Sequence, residues 1–297
     1  MSPEAFIGDV WRWLAEPWAF GLLDRAFIEV LLLGVVGGVL GCWVVLHGLS
    51  YSAESLSHAI FPGLVLAALL GFPLLLGGIV GVVVAALAIA VLGRTPGVGR
   101  DTSVAVVISG LFGFGVLLAL SPATPAGLQG LLFGNILGLS DRDLVAAAAL
   151  AGVVLIAMRL LHWQLLVEGF DRLGARALGV RPLLTDAALL ALLALAVVVA
   201  TQGLGNLLAP AVLVGPAACA RLISRRLGPM MVTAFAITVV TGAVGLYASY
   251  YAGTAGGPSV AGSMVLLYLG LRIAHAVRIP AGESTVSARV AEAAEAG

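Results

Sequence analysis

The sequence predicts an all-α, polytopic integral membrane protein with eight or nine transmembrane helices, and three observations predict it. Apolar residues fill 61% of the 297 positions and charged residues only 10%, against roughly 25% charged in a soluble domain. The apolar residues gather in stretches close to the ~20 residues that a bilayer core demands. The fifteen basic residues are all arginine, and most fall on one side of the topology those stretches imply.

Residues 1–25 carry Trp11, Trp13, Trp18 and Phe20 among acids. They lack the basic start and short apolar core of a cleavable signal, so they read as an interfacial N-terminal segment. Spans are then expected near 27–46, 55–71, 73–92, 102–120, 143–161, 183–202, 205–222, 230–249 and 258–277. The second starts with polar residues, as a helix lining a cavity does. No internal duplication is visible, which weighs against the repeat-built secondary transporters.

Nine spans with the N-terminus outside put Arg94, Arg100, Arg159, Arg172, Arg176, Arg181, Arg221, Arg225, Arg226, Arg272, Arg278 and Arg289 on the inner side. Only Arg12, Arg25 and Arg142 remain outside. That is the positive-inside asymmetry. Ala126–Ser140 is apolar but short and glycine-rich, so it is expected as a re-entrant or half-length helix on the outer side. The transmembrane domain then runs over 26–279, and 280–297 form a cytoplasmic tail.

Composition also excludes activities. Net charge is zero, so no basic field points to nucleic acid. Without any lysine there is no P-loop, whose signature needs one on the phosphates; ATP hydrolysis by that route is absent. Cys42 and Cys219 have no paired spacing and read as packing residues.

Three polar stretches interrupt the apolar background. Gly93–Thr102 reads as a cytoplasmic turn in which Asp101 caps the next helix. Glu168–Val180 reads as a short helix started by Asp171 and stopped by Gly179. It carries Leu173, Ala177 and Leu178 on one side and Arg172 and Arg176 on another. Such a helix can rest on headgroups or dock into a soluble partner, and the pattern alone leaves both open.

The third stretch, Tyr51–Gly63, holds a carboxylate and an imidazole four residues apart, Glu54 and His58. Positions i and i+4 share one helix face, so both can address one point. Ionisable groups at membrane depth mark functional sites by default. The competing reading has Glu54 capping a helix at the water interface and His58 bonding a neighbour. His47, His162 and His275 are expected at interfaces rather than as ligands.

The run from Glu54 to Gly63 resembles the D-A-x-S-H-A-x-x-P-G signature of the metal-transporting (zinc, manganese and iron) ABC permeases of bacteria, the ABC-3 type. The similarity continues through Asp101-Thr102, Leu132–Leu137, Phe170-Asp171 with Ala175–Gly179, Leu208–Arg225, Gly245–Tyr251 and Gly257-Pro258. It covers residues 25 to 278 in order.

The resemblance implies a multi-pass permease subunit of the inner or plasma membrane that has no ATPase site of its own. It would pair with a second copy of itself to form the path, above ATP-binding subunits and below an extracytoplasmic metal-binding protein. Glu54 and His58 would contact the transported metal; the family more often has aspartate at the first position. Glu168–Val180 would hold the coupling helix, with Phe170, Asp171, Ala175, Ala177, Leu178 and Gly179 matching. No cofactor is expected to stay bound, the divalent ion being cargo. Imidazole nitrogen favours zinc over manganese at such a site. The alternatives are a secondary carrier with Glu54 as its proton site, and an ABC permease for a larger chelate-type ligand.

Overall fold

In the computed structural model, residues 15–92, 100–120 and 130–278 are described, and all the regular elements among them are helical. After a 3-10 turn at Glu16–Phe20, the first span is assembled from α1 (Leu22–Val36), a π-helical turn at Gly37–Gly41 and α2 (Cys42–Leu46). There follow α3 (Ser50–Leu70), α4 (Leu74–Leu92), α5 (Arg100–Ala119), the short α6 (Gly130–Phe133) and a 3-10 turn at Ile136–Gly138. The chain continues with α7 (Asp141–Phe170), α8 (Arg172–Ala177), α9 (Pro182–Leu204), α10 (Ala209–Ile223), α11 (Leu227–Ala252) and α12 (Gly256–Arg278).

Six of these helices are long and apolar enough to cross a membrane, and three shorter apolar helices lie in α4, α5 and α10. Together they correspond to the nine expected stretches. The first span is the axis of the bundle, with 67% of its most apolar window buried against 28% in α7 and 22% in α12. Leu33, Val36, Leu40 and Trp43 of this span pack with Val154 and Met158 of α7, Leu193 and Val197 of α9, and Val212 of α10. The outer faces of α4 and α5 leave Ile79, Val83, Leu87 and Leu117 exposed, as lipid-facing surface requires.

The two ends are distinguishable. α7 has 30 residues and is therefore about 45 Å long, more than a hydrocarbon core needs. At its start, Ser140 forms a capping box with Asp143, donating its N–H to Oδ2 at 2.8 Å, and Arg25 pairs with Asp141 at 3.0 Å. Leu74, Leu131, Asn135 and Gln202 gather at this same end. At the far end of α7 lie Phe170 and α8. The segment expected inside and the segment expected outside are thus at opposite ends, as the arginine placement requires.

Within Ala126–Ser140, residues 126–129 lie outside the described part. The remainder does not cross: Leu132 packs on Phe61, Val65 and Ala119. The Asn206 and Leu207 N–H groups donate to the Leu131 and Leu132 carbonyls. This short segment is seated on the α9–α10 junction. Three expectations fall outside the described residues: the 1–14 part of the interfacial segment, the Gly93–Gly99 turn, and the tail from 279 onward. Asp101 lies inside the first turn of α5 rather than before it, and its side chain is outside the description.

Other boundaries moved. α3 begins at Ser50 rather than 55, because the polar residues that break hydropathy do not break the helix. α7 runs on to Phe170, so Glu168 belongs to its last turn and not to the short helix. The cysteines are buried packing residues on α2 and α10. His162 is exposed, with its ring 5.8 Å from that of Trp43. His47 departs from the interfacial expectation: its side chain is only 3% exposed.

Candidate functional site

Helix α3 carries the acid and the histidine, and its neighbours hold it closely. Gly63 faces Gly77 of α4 so tightly that a methyl on either would run into the other's carbonyl. On the opposite flank, a methyl at Gly115 of α5 would stand 2.9 Å from the Pro62 nitrogen. Small residues at such seams let membrane helices approach at backbone distance. Pro62 lies within the helix and has no N–H to give the carbonyl four residues earlier. Nearby, the buried Asn206 side chain donates to the Ser57 carbonyl at 3.1 Å. That bond ties the middle of α3 to the α9–α10 junction.

Both predicted side chains reach one cleft. It encloses about 260 Å³, with Ser50, Glu54 and His58 on one wall and Pro210, Ala211 and Val214 of α10 on the other. Glu54 is exposed and His58 half-buried. The imidazole lies against Phe112, with centroids 4.6 Å apart and planes at 57°. Its Nδ1 is buried without a hydrogen-bond partner. Glu54 does not cap the helix: α3 has no side-chain cap, and Glu54 sits in its second turn.

The α10 wall is set by the first span. A methyl at Gly37 would come within 2.8 Å of the Leu213 carbonyl oxygen, and one at Gly41 would clash with the same atom. The π turn therefore lies directly behind the cleft, and π turns recur at functional sites. One chain offers this cleft a carboxylate oxygen and an imidazole nitrogen. Divalent ions of the first row take four to six ligands, so the set from one chain is incomplete.

The second predicted site is α8, at the far end of α7. Asp171 is its N-cap and accepts from the Leu173 N–H at 2.9 Å. Gly179 ends it with φ 80°, while Val180 and Gly179 donate to the Ala175 and Arg176 carbonyls at 3.0 and 3.1 Å. That pair of bonds is a Schellman closure, and its left-handed position favours glycine.

Of the six residues predicted here, three build the helix: Asp171 starts it, Gly179 stops it, and the fully buried Ala175 anchors it. Phe170 and Leu178 are 89% and 69% exposed, and Ala177 is exposed beside them. Leu173, omitted from that set, is 79% exposed. The signal for it was its place on the apolar side of the helix. Trp163 of α7, also exposed, lines the clefts on both sides of α8.

A bundle of apolar helices, with a cleft that holds a carboxylate and an imidazole and a protruding amphipathic helix, describes a multi-pass membrane protein. The chain belongs to the ABC 3 transport family, which it matches over residues 19–275. It is 35% identical to the chelated iron transport system membrane protein YfeD of Yersinia pestis, over 83% of each chain. It is 31% identical to the manganese import system permease protein ScaB of Streptococcus gordonii, over 84% of this chain and 90% of that one. The solved structure of PsaBC from Streptococcus pneumoniae in complex with Fab matches with a TM-score of 0.81 and 29% identity. That match covers 88% of this chain and 95% of the other.

Proposed function

We propose that this chain forms half of the path of an ATP-driven importer for divalent first-row metal ions, with Glu54 and His58 as its cargo ligands. The observation that carries the reading is the cleft itself. An anionic oxygen and an imidazole with a buried, unpartnered Nδ1 converge in it, on a helix otherwise packed for rigidity. A divalent ion in hydrocarbon is very costly without compensating charge and lone pairs. Two copies facing one another would supply four ligands and two negative charges, which neutralises the ion without caging it. The exposure of Glu54 and Tyr51 leaves that face of α3 open to a second copy.

The imidazole by itself favours zinc. The relatives named above are described for manganese and for chelated iron, so manganese or iron is the cargo proposed, with zinc as competitor. Energy would come from ATP-binding partner subunits docking on Phe170, Leu173, Ala177 and Leu178 of α8, and the ion from an extracytoplasmic binding protein.

The test is uptake of radioactive manganese, iron and zinc into vesicles containing the reconstituted complex. His58→Ala should abolish uptake of all three ions without preventing assembly, because one carboxylate per chain leaves too few ligands. Glu54→Gln should impair it by removing charge, and Glu54→Asp should support uptake. Full uptake by His58→Ala would falsify the site. Zinc uptake with neither manganese nor iron would keep the site and overturn the choice of cargo.

A further inference from the structure

Away from the cleft, a second group of ligating side chains lies at the α8 end of the molecule, where the first span, α7 and α9 converge. His47 follows the last turn of α2, Glu168 occupies the last turn of α7, and Asp186 the second turn of α9. One donor atom from each lies within 4.8 Å of the other two. Glu168 is 4% exposed. The His47 Nδ1 stands 3.5 Å from Asp186 Oδ1, at the long edge of hydrogen bonding.

His47 makes this more than an acidic cluster. Its side chain is 97% buried (3% exposed), and its Nε2 is buried with no hydrogen-bond partner. Buried polar groups are nearly always satisfied, and an orphan calls for a physical reason. An imidazole grouped with two carboxylates is the mixed nitrogen–oxygen donor set that first-row divalent ions accept. Ligand distances near ~2.1 Å place the donors around one ion roughly 3–3.5 Å apart. Holding one ion would require side-chain rotation to narrow the present separation, which is at most 4.8 Å.

We propose that His47, Glu168 and Asp186 form a second divalent-metal site, distinct from Glu54–His58 and independent of what that cleft carries. Its place gives it a consequence. Glu168 precedes the α8 cap, Asp171, by three residues, and Asp186 follows the α8 stop, Gly179, by seven. An ion held here ties both roots of α8 to the first span. By the arginine asymmetry this is the cytoplasmic end, so occupancy would report metal already on the arrival side to the helix that faces the ATPase.

The experiment uses the full chain in its complex, freed of affinity tags, in a Glu54→Gln/His58→Ala background that empties the cleft. Cobalt(II) serves as probe, read by bound metal per chain and by its visible ligand-field band. One cobalt per chain is expected, together with a metal-induced rise in the unfolding midpoint. Adding Asp186→Asn should weaken binding by more than the 10- to 100-fold typical of losing an outer-shell partner and remove the rise. The chain should still fold, since the amide is isosteric. His47→Gln should do the same; should it fail to fold, Asp186→Asn alone carries the test. Absence of stoichiometric cobalt in the folded background protein overturns the proposal, as does binding that Asp186→Asn leaves unchanged. Failure of the transport reading would appear instead in the His58→Ala uptake assay, which does not involve these residues.

Discussion

Gly63→Ala places a single methyl group at the tightest seam beside the cleft. The new carbon would overlap the Gly77 carbonyl oxygen and stand 3.0 Å from both the Gly77 carbonyl carbon and the Gly81 nitrogen. All three obstacles are backbone atoms, so no rotamer relieves them. Restoring ordinary contact distances opens the α3–α4 seam by roughly 1 Å. Overpacking of this kind costs about 1–3 kcal/mol. The same displacement reaches His58 five residues away, and a misplacement of about 1 Å can lower activity some 10²-fold. The assay pairs metal uptake in proteoliposomes with thermal unfolding in detergent: uptake should fall at least about tenfold, with a lower unfolding midpoint. Gly110→Ala and Gly113→Ala on α5 are the controls, since a methyl at either meets nothing within 4 Å and replaces a poor helix former by a good one. Unchanged uptake and midpoint in Gly63→Ala would refute the claim that this seam positions the site.

Other outcomes follow from the same geometry. Leu178→Asp with Gly179→Pro puts a charge on the exposed face of α8 and a fixed negative φ where φ is 80°, so the permease should insert yet lose ATPase co-purification or coupling. Normal co-purification and metal-stimulated hydrolysis would contradict a docking role for α8. Asp171→Ala removes the bond to the Leu173 N–H and should cost about 0.5–2 kcal/mol of local stability, read as faster hydrogen exchange over 172–178 with the spans unchanged. Asn206→Ala removes the donor to the Ser57 carbonyl. Losing a buried hydrogen bond there should cost about 1–3 kcal/mol and reduce uptake without altering assembly; wild-type uptake and midpoint would mean this tie is dispensable.

What the sequence made legible followed from local chemistry. The i, i+4 relation of Glu54 and His58 is set by helix geometry, and both do reach one cleft. The start and stop of α8 were readable because Asp171 and Gly179 satisfy orphan backbone groups in ways that depend on residue type. Hydropathy misplaced the ends of α3 and α7 for a physical reason. It reports where lipid is tolerated, whereas i→i−4 bonding continues through Ser50–Glu54 and through Trp163–Phe170. The His47, Glu168 and Asp186 group had no local signal. These residues are far apart in sequence, share no motif, and meet only because three helices end at one level. His47 was expected at the interface because it follows the last apolar residue of a span, a position that in most helices is wet.

The π turn at Gly37–Gly41 also acts as an angular offset. Five residues that close i→i+5 rings advance the chain around the helix axis less than five α-helical residues would, by roughly a quarter turn. Every side chain downstream in the same span inherits that lag, and His47, six residues on, is the last to do so. Its direction toward α7 and α9 is therefore encoded upstream, in glycines that never touch it. Removing one residue from this run would restore ordinary helical phase and swing the imidazole toward a different neighbour. The span would keep its length, its hydropathy and nearly all its composition. Whether a histidine at the end of a membrane helix points into protein or toward headgroups can thus be decided by the count of residues two turns earlier.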